Sequence, residues 1–540
     1  MKDVPTQGRA TRLVRNGLAG LLLLAGSLLV LTWVGCSRNG TESVAPPPVN
    51  PVAARDIPQR IQVFCGACHA NPPADTFPRE HWKYEIERMY MFYAQSGRPL
   101  MPPPIEEVVK YYEERAPLAL PPLVIHPSDR PLPVTFSRTD YPTFAGPPKV
   151  SPPYISNVNL VHLFDPKRLD VLACEMHGGA IMVLQPYKSK PEWRLLYATG
   201  ADNKFNPAHT EIVDLDKDGI PDMLVANLGS YLPTDRRCGS VMWFRGLGEG
   251  RFQPPITLLK DKGRVADVQV ADFNGDGKLD LIVACFGWNT VGEVCYLENQ
   301  TTDWSKPRFT VNVLDERHGA IHVPVTDLDG DGRPDFIALF SQENEVIVAF
   351  LNEGGGRFRK QTLYQASHPG YGSSGIQLAD LNGDGKVDIL YTNGDVLDQP
   401  YLLKPYHSVQ WLENRGDLTF KHHPLTPMYG VHRAVAADLD GDGDLDIVAC
   451  SFLPAEEFKE RTDRHLAALV VLEQTDPGVF AYHVLEAGNC DYVSCTVGDV
   501  FGTGRQDIVT GTFTGQPVEH AITVWRNQGA TGGLPGRKRN

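Results

Sequence analysis

Short apolar runs recur along most of the chain and alternate with loops rich in aspartate and glycine. Examples of these runs are residues 223–226 (MLVA), 281–284 (LIVA), 336–339 (FIAL) and 447–449 (IVA). Apolar, β-rich runs of this length between turn residues are typical of buried strands. The segments ahead of the loops are strand-like as well, as in residues 321–325 (IHVPV). The pattern therefore predicts repeated strand–loop–strand units.

Five of the loops share a nine-residue pattern that starts at residues 214, 272, 327, 380 and 438. Each loop places oxygen-bearing side chains at positions 1, 3, 5 and 9, and a glycine at position 6 where the chain turns sharply. Alternating carboxylates on such a loop converge on a hard cation, and the carbonyl at position 7 adds a further oxygen. An EF-hand is excluded because it requires a glutamate at position 12 and a helix on each side.

The loop starts are separated by 58, 55, 53 and 58 residues, and periods of this size predict a repeat architecture. One unit shows four strand-like segments, at residues 321–327, 336–341, 346–352 and 358–364, which is the content of a propeller blade. Degenerate units at residues 162–170 and 499–507 raise the number of blades to seven. The last unit lacks a fourth strand after Asn527, and we expect residues 132–137 (LPVTFS) to supply it.

These repeats resemble the FG-GAP/VCBS family of calcium-binding β-propellers over residues 155–528. The resemblance implies a seven-bladed propeller with calcium loops between the first and second strands of its blades, and about five calcium ions. It assigns no reaction, since the family includes adhesion, lectin-like and lyase members. The side chains that match the family's calcium ligands are Asp214, Asp216, Asp218, Asp222, Asp272, Asn274, Asp276, Asp280, Asp327, Asp329, Asp331, Asp335, Asp380, Asn382, Asp384, Asp388, Asp438, Asp440, Asp442 and Asp446.

A second motif, Cys65-Gly66-Ala67-Cys68-His69, has the C-x-x-C-H spacing of covalent haem c attachment. The two thiols suit the two haem vinyl groups, and His69 is placed to bind the iron. Residues 81–93 and 105–115 have helical patterning, and Met101 precedes a proline between them. Residues 55–120 thus resemble a small all-α class I cytochrome c, which implies Met101 as the second axial ligand. Met89 and Met91 are the alternatives for that role.

The first 36 residues carry four basic side chains ahead of an apolar stretch, residues 18–34, which is followed by Gly35 and Cys36. They resemble a bacterial lipoprotein signal, with Cys36 as the lipidated residue. Trp33 departs from the usual leucine, and an uncleaved signal anchor is the alternative. Both interpretations place the folded part outside the cytoplasm, in the periplasm or at the cell surface. Residues 37–54 are then a linker, residues 121–154 a connector and residues 529–540 a tail.

The formal net charge is −14, but 18 carboxylates belong to the five loops, where bound cations would offset them. The chain has no basic run of the kind that binds nucleic acid. Charge therefore gives no reason to expect a basic or nucleic-acid partner.

A propeller of this kind predicts that the five loops share one face and that the long insertions at residues 229–239, 393–407 and 451–465 lie on the other. First strands would start at that second face and surround a central funnel, which suits a ligand or a docking partner. The candidates for catalysis or binding there are His209, His318, His322, His432 and Arg433. The further polar residues predicted near the funnel are Glu175, His177, Arg264, Asp267, Tyr371, Asp491 and Tyr492. No nucleophile–base pair is identifiable, so the sequence assigns no reaction.

Three hypotheses follow from these motifs. The first is an exported, lipid-anchored electron-transfer protein, with one haem c and a calcium-stabilised propeller that binds a redox partner or a small-molecule or glycan ligand. The second is a carbohydrate-active oxidoreductase or lyase that uses the funnel. The third is a cell-surface adhesion or glycan-binding module.

Overall fold

The computed structural model describes residues 56–67, 69–146, 152–199, 204–397 and 401–530, which belong to one compact unit. The proposed signal, Cys36 and the linker lie outside the described residues, as does Cys68. Within the described ranges, no helix has the length and apolar character needed to span a membrane.

A small helical module precedes the sheets. Its three α-helices are α1 (Ile57–Cys65), α2 (Trp82–Ser96) and α3 (Ile105–Glu113), joined by 3-10 turns at Ala74–Thr76 and Arg79–His81. The stacked rings of Trp82 and Tyr112, 4.0 Å apart at their centroids, join α2 to α3 in its core. The helical patterning of residues 81–93 and 105–115 is thereby confirmed, with small shifts at the ends.

Seven four-membered sheets follow, so the predicted number of blades is confirmed. In blades 1 to 6 the strand order from one edge to the other is the chain order, apart from a small added hairpin in blade 2 and a first strand split in two in blade 4. First strands of neighbouring blades contact each other in a closed circle, β2–β6–β12–β16–β21–β25–β29–β2. The first strands therefore surround the propeller axis.

The strands of blades 1 to 3, in chain order, are β2 (Ile155–Val161), β3 (Asp170–Glu175), β4 (Ala180–Gln185), β5 (Glu192–Ala198), β6 (Pro207–Val213), β7 (Asp222–Asn227), β8 (Gly239–Phe244), the hairpin β9 (Gly246–Gly248) and β10 (Arg251–Phe252), β11 (Ile256–Lys262), β12 (Val265–Ala271), β13 (Asp280–Cys285), β14 (Glu293–Asn299) and β15 (Phe309–Asp315). Those of blades 4 and 5 are β16 (Ala320–His322), β17 (Val325–Thr326), β18 (Asp335–Phe340), β19 (Val346–Asn352), β20 (Phe358–Gln365), β21 (Gly375–Ala379), β22 (Asp388–Thr392), β23 (Ser408–Asn414) and β24 (Phe420–Pro427). Blade 6 contains β25 (Val431–Ala437), β26 (Asp446–Ser451), β27 (Ala467–Asp476) and β28 (Val479–Ala487), with a 3-10 turn at Lys459–Arg461, and blade 7 contains β29 (Tyr492–Gly498), β30 (Asp507–Thr512) and β31 (His520–Ala530).

The fourth strand of blade 7 comes from the other end of the propeller. Strand β1 (Val134–Pro142) pairs antiparallel with β31, from Val134 opposite Ala530 to Pro142 opposite His520. The prediction that a segment near residues 132–137 supplies the fourth strand of the last blade is confirmed. The strand begins two residues later than predicted and continues to Pro142. The connector ahead of it runs along blades 5 and 6, where the Leu123 N–H donates to the Tyr429 hydroxyl at 2.8 Å and the Ser128 N–H to the Tyr482 carbonyl at 2.9 Å.

The apolar runs of the sequence are the second strands of the blades. Every residue of β7, β13 and β18 is buried, because each of these strands has sheet neighbours on both edges and other blades against both faces. Burying one Val, Leu or Ile side chain contributes roughly 1.5–3 kcal/mol, so these strands dominate the propeller core.

One predicted strand is interrupted. We expected residues 321–327 to form a single first strand, but blade 4 has two short pieces, Ala320–His322 and Val325–Thr326. Pro324 lies between them and has no N–H with which to bond the neighbouring strand, although its carbonyl accepts the Ile337 N–H at 3.0 Å.

Candidate functional site

The C-x-x-C-H motif begins at the C-terminal end of α1. Cys65 is the last residue of that helix and is buried against α3, while the chain turns at Gly66 and Ala67. Nδ1 of His69 lies 2.8 Å from the carbonyl of Ala70. A donor bond from Nδ1 to a carbonyl fixes the tautomer and leaves Nε2 as the ligating atom, which is the usual arrangement for a metal-bound histidine.

The loop that carries Met101 is held against the same motif. Nη1 of Arg98 donates to the Ala67 carbonyl, between the two cysteines, at 3.2 Å. The hydroxyls of Tyr93 and Tyr90 donate to the carbonyls of Leu100 and Pro103, which fastens the loop to α2. The Met101 side chain is 78% exposed in this loop.

The two rival methionines lie on helix α2. Met89 is partly buried and packs into the core of the helical module. Met91 is 50% exposed on the same helix. Of the three methionines, only Met101 belongs to the loop that Arg98 fastens to the C-x-x-C-H motif.

The five aspartate-rich loops join first to second strands, as the sequence predicts. Position 4 has a positive φ in each of them, at Lys217 (59°), Gly275 (77°), Gly330 (75°), Gly383 (72°) and Gly441 (82°). The glycine at position 6 also has a positive φ in every loop, between 84° and 98°. The carboxylate at position 1 accepts the N–H of that glycine, for example from Gly332 to Asp327 at 2.9 Å.

These turns bring carboxylates together. In three loops, oxygen atoms of three aspartates lie within 4.8 Å of one another; the sets are Asp214, Asp216 and Asp218; Asp327, Asp329 and Asp335; and Asp438, Asp440 and Asp442. Burial, and then the neighbouring Asp442 charge, raise the pKa of Asp440 to about 6. Oxygen ligands at such separations fit calcium, whose charge would offset this repulsion.

Basic side chains also meet these carboxylates. Arg245 lies 2.6 Å from Asp216 and 2.9 Å from Asp218, and Lys386 lies 2.7 Å from Asp384. Arg333 pairs with Asp331 in the same way. A cation entering these loops would have to displace these basic groups.

The aspartate at position 9 has a second role, which recurs around the propeller. It is the first residue of each second strand, and in blades 1, 2 and 4 to 7 Oδ2 accepts the N–H at loop position 2, as from Leu328 to Asp335 at 3.0 Å. In blades 2 to 7 Oδ1 accepts a backbone N–H near the end of the third strand, as from Asn352 to Asp335 at 2.7 Å. In blade 1 the side chains of Gln185 and Tyr187 donate to Oδ1 of Asp170 instead. Asp507 of blade 7 makes the same two bonds, with Val500 and Asn527, although of the other acidic positions its loop keeps only Asp499.

The funnel contains a polar ring that the strand register defines. In six blades the third residue of the first strand pairs with the fifth residue of the second strand, and so occupies an equivalent position around the axis. In blade 5 this register falls on Gly375, which has no side chain. We call the other six residues the channel ring: Asn157, His209, Asp267, His322, Arg433 and Ser494. In six blades the strand pairing shifts by one residue immediately before this position, and blade 5 is the exception. Such β-bulges redirect a side chain, here in the same place in blade after blade.

Four members of the channel ring contact one another across blades. Nδ1 of His209 lies 2.9 Å from Oδ1 of Asp267, and Oδ2 of Asp267 accepts the Val323 N–H at 2.9 Å. Nδ1 of His322 is 3.9 Å from that carboxylate, while its Nε2 lies 3.3 Å from Nη1 of Arg433. Blades 2, 3, 4 and 6 thus meet at the axis.

The charges of these residues follow from their neighbours. Burial alone would lower the pKa of His209, but the charge and hydrogen bond of Asp267 outweigh it and raise that pKa. Burial alone would raise the pKa of Asp267, and the charge of His209 outweighs it, so that pKa falls well below its usual range. Burial and the nearby Arg433 charge lower the pKa of His322 to about 3. At neutral pH His322 is neutral, and it accepts from Arg433.

The other funnel candidates have local structural partners. His318 pairs with Glu343 of its own blade at 2.7 Å and is not part of the ring. His432 directs Nδ1 to the Val493 carbonyl at 3.0 Å, and burial lowers its pKa to about 4. Glu175 accepts the backbone N–H groups of His177 and Gly178, and so stabilises its own turn.

Several further candidates form ion pairs or hydrogen bonds with neighbouring residues. Asp491 forms a buried ion pair with Arg461 at 2.7 Å, and the Tyr492 hydroxyl donates to Glu486 at 2.7 Å. The Tyr371 hydroxyl donates to Gln410 at 3.1 Å. Nε of Arg264 donates to the Ser230 carbonyl at 3.3 Å.

Two ring members were not among the sequence candidates: Asn157 and Ser494. Glu211 and Gln269, two residues further along β6 and β12, also belong to this environment, since Gln269 donates to Asp267 at 3.2 Å and burial raises the pKa of Glu211. The signal that could have found Asn157 and Ser494 is their common offset from the start of each first strand.

Comparison with known proteins agrees with the fold. The model of the FG-GAP-like repeat matches residues 168–283, 327–391 and 392–449. The chain therefore carries FG-GAP-like repeats, arranged as a mainly β, seven-bladed propeller.

The chain is also similar to curated proteins of distant sequence. It is 25% identical over 284 residues to the T-cell immunomodulatory protein homolog of Plasmodium falciparum, covering 46% of this chain and 34% of that protein. It is 24% identical over 275 residues to cartilage acidic protein 1 of Mus musculus, covering 48% of this chain and 40% of that protein. The chain thus spans less than half the length of these curated relatives.

Two solved structures share part of the shape. One is BBS1N in complex with ARL6DN, with a TM-score of 0.42, 10% identity, and coverage of 71% of this chain and 96% of that one. The other is the V. cholerae biofilm matrix protein Bap1, with a TM-score of 0.39, 12% identity, and coverage of 73% and 91%.

Proposed function

We propose that the chain is an exported electron-transfer protein, in which a haem c at Cys65 and Cys68 is joined to a calcium-stabilised propeller that binds a redox partner or a ligand. The observation that carries this proposal is the bond from Arg98 to the Ala67 carbonyl, which fastens the Met101 loop to the attachment motif. His69 has its Nδ1 engaged by a carbonyl, so its Nε2 suits an axial bond. The residues present thus fit a histidine–methionine haem.

When bound, the haem supplies a reversible Fe(II)/Fe(III) couple, and a methionine ligand raises its potential. The chain's own residues position that group: Cys65 and Cys68 tether it, and His69 and Met101 provide the axial atoms. Phe64 contacts the rings of Tyr90 and Tyr93 at 5.4 and 4.9 Å, which gives an apolar wall beside the attachment motif.

Calcium has a structural part in this proposal. The side chains at positions 1, 3, 5 and 9 of the five loops bind about five ions and hold the connections between first and second strands. Calcium does not change its oxidation state, so it takes no part in electron transfer. Lipidation at Cys36 places the molecule at a membrane surface of the periplasm or cell exterior.

The test is a spectrum of the purified full-length chain, expressed with c-type cytochrome maturation, in its oxidised and reduced forms, followed by potentiometry. We expect covalently attached haem that survives denaturation, and a reversible couple. The variant C65A/C68A is the control and should lack both. A full-length protein without a reversible haem couple would falsify the proposal.

A second candidate function is suggested by the channel ring: a carbohydrate-active oxidoreductase or lyase. The paired His209 and Asp267 have the geometry of a base held by a carboxylate, which is a common acid–base arrangement. An oxidation in the funnel predicts haem reduction on addition of substrate, lost on His209→Gln or His322→Gln. A lyase predicts cleavage of the glycan with no change in the haem spectrum.

A further inference from the structure

Arg433 carries a positive charge in the channel ring that no carboxylate balances. Its Nη1 donates to the Ile376 carbonyl at 3.2 Å and to Nε2 of His322 at 3.3 Å. Among the described residues, no Asp or Glu lies within ion-pair distance of this guanidinium, and Nε and Nη2 have no protein acceptor. A guanidinium has five N–H donors, so most of its donor capacity is open to the channel.

The other titratable groups near the ring do not pair with Arg433. Asp267 is 2.9 Å from His209, so its carboxylate already has a partner on the neighbouring blade. His322 is neutral at physiological pH because burial and Arg433 lower its pKa to about 3. Burial raises the pKa of Glu211, which makes its anionic form less favourable there than in water. Arg433 is therefore a ring charge without an ion-pair partner among the described residues.

Two neutral groups extend the ring beyond Arg433. Passing from blade 6 through blade 7 to blade 1, the ring positions are Arg433, Ser494 and Asn157, which we call the donor arc. Oγ of Ser494 accepts the Val158 N–H at 3.3 Å, so its own O–H is left to donate. Oδ1 of Asn157 is buried and has no hydrogen-bond partner among the described residues. An unpartnered buried carbonyl oxygen calls for a donor such as a ligand hydroxyl.

We propose that the donor arc binds a small carboxylate that also bears hydroxyl groups, with the carboxylate on Arg433 and Ser494 and a hydroxyl on Asn157. Arginine is the side chain best suited to bidentate recognition of a carboxylate. A free hydroxy acid and the uronate unit of a glycan share this chemistry. The inference names the ligand class of the propeller, and rests on the proposed function only in treating the propeller as the ligand-binding part.

Isothermal titration calorimetry of the full-length, calcium-loaded protein tests this site. The probes are glycolate, glucuronate and glucose; glucose is the matched neutral control for glucuronate, because the two differ at the carboxylate carbon. We expect at least one of the two carboxylates to bind and glucose not to bind. Binding of glycolate alone assigns the site to free hydroxy acids, and binding of glucuronate assigns it to uronate-containing glycans. Equal binding of glucose, or no binding of either carboxylate at millimolar concentration, overturns the inference.

Variants locate the binding. Arg433→Met should weaken carboxylate binding by at least about tenfold, since hydrogen bonds to charged groups are lost, and Arg433→Lys should lie between this variant and the native chain. Asn157→Ala should weaken binding of the hydroxyl-bearing probes less, and Arg251→Met, at an exposed arginine outside the ring, should have no effect. Far-ultraviolet circular dichroism checks that each variant is folded; if Arg433→Met is not, Arg433→Lys and Asn157→Ala decide the question. Unchanged affinity in the folded ring variants would overturn the site.

This experiment is independent of the haem measurement. A reversible haem couple without carboxylate binding leaves the electron-transfer proposal standing and removes only the ligand class. Carboxylate binding by a chain that holds no haem does the reverse.

Discussion

His209 and Asp267 lie on first strands of neighbouring blades, and Nδ1 of the one is 2.9 Å from Oδ1 of the other. Because the same carboxylate accepts the Val323 N–H from the next blade, Asp267 joins three blades at the propeller axis. A side chain that looks like part of a ligand site therefore also holds the inner wall of the ring together.

The His209–Asp267 pair predicts a pH-dependent contribution to stability. The folded-state pKa of His209 is raised, so its contribution is complete below the unfolded value of about 6.5 and is lost as pH rises through the folded value. We expect His209→Gln to cost about 2 kcal/mol at pH 6, as for a hydrogen bond between charged groups. The difference from the native chain should shrink on the alkaline side. Urea unfolding from pH 5 to pH 9 measures it.

Other groups near His209 and Asp267 also contribute to the pH dependence of stability. The pKa of Glu211 is raised in the folded state, so its ionisation lowers the free energy of unfolding as pH rises. Arg433 stays charged and Gln269 stays neutral. Comparing the native chain with His209→Gln at each pH cancels most of the Glu211 contribution. A difference that grows with pH would contradict the predicted sign.

The shared aspartate at position 9 predicts a calcium-independent cost of substitution. Asp507→Asn removes an acceptor for the Val500 or Asn527 N–H in blade 7, whose loop keeps only Asp499 of the other acidic positions. We expect a loss of about 1–3 kcal/mol, the usual penalty for an unsatisfied buried donor, with the same value in calcium and in EDTA. Chemical denaturation under both conditions measures the loss.

The five intact loops predict the opposite behaviour at position 1. Asp327→Asn should reduce the stabilisation that calcium gives, because a ligand that binds only the folded state adds about 2.7 kcal/mol per site at a hundred times its Kd. In EDTA the variant should differ little from the native chain. The matching substitution Asp499→Asn, in the loop of blade 7, should leave the calcium response unchanged. An equal calcium response in Asp327→Asn and the native chain would show that this loop binds no ion.

The repeat and its loops were accessible from the sequence because their determinants are local. Nine-residue patterns fix the turns through positive φ at positions 4 and 6, and buried apolar runs mark the second strands. The channel ring was only partly accessible. Its members share neither residue type nor charge, and Asn157 and Ser494 become related to His209 only through the register of separate blades.

The interrupted strand of blade 4 has a physical cause. Pro324, which lacks an N–H, divides a strand that its apolar neighbours favour. His318 lies in the turn before β16, near the start of a first strand, and pairs with Glu343 at 2.7 Å. A local pattern does not contain that pairing, because Glu343 lies 25 residues further along the chain.

Met101 provides a test of the helical module that needs no substrate. Met101→Leu should lower the reduction potential, on the order of 0.1 V within the roughly 0.8 V range that axial ligands span, because a thioether ligand raises it. Met91→Leu, on the exposed face of α2, should leave the potential unchanged. Potentiometric titration of the two purified variants measures the shift. The same potential in both would assign the second axial position to another group.

Closure of the ring between β1 and β31 predicts how the chain tolerates shortening. A chain that starts at residue 131 lacks the helical module but keeps Val134–Pro142, whereas one that starts at residue 144 loses the fourth strand of blade 7. Val134 and Tyr141 are buried in that strand, and burying two such side chains contributes at least about 3 kcal/mol, apart from the hydrogen bonds of the ladder. We expect the longer chain to unfold cooperatively and the shorter one to be less stable by at least that amount, or to aggregate through the open edge of β31. Chemical denaturation followed by intrinsic fluorescence compares them, with calcium at the same concentration throughout. Equal stability of the two chains would mean that β31 does not need its partner from the start of the propeller.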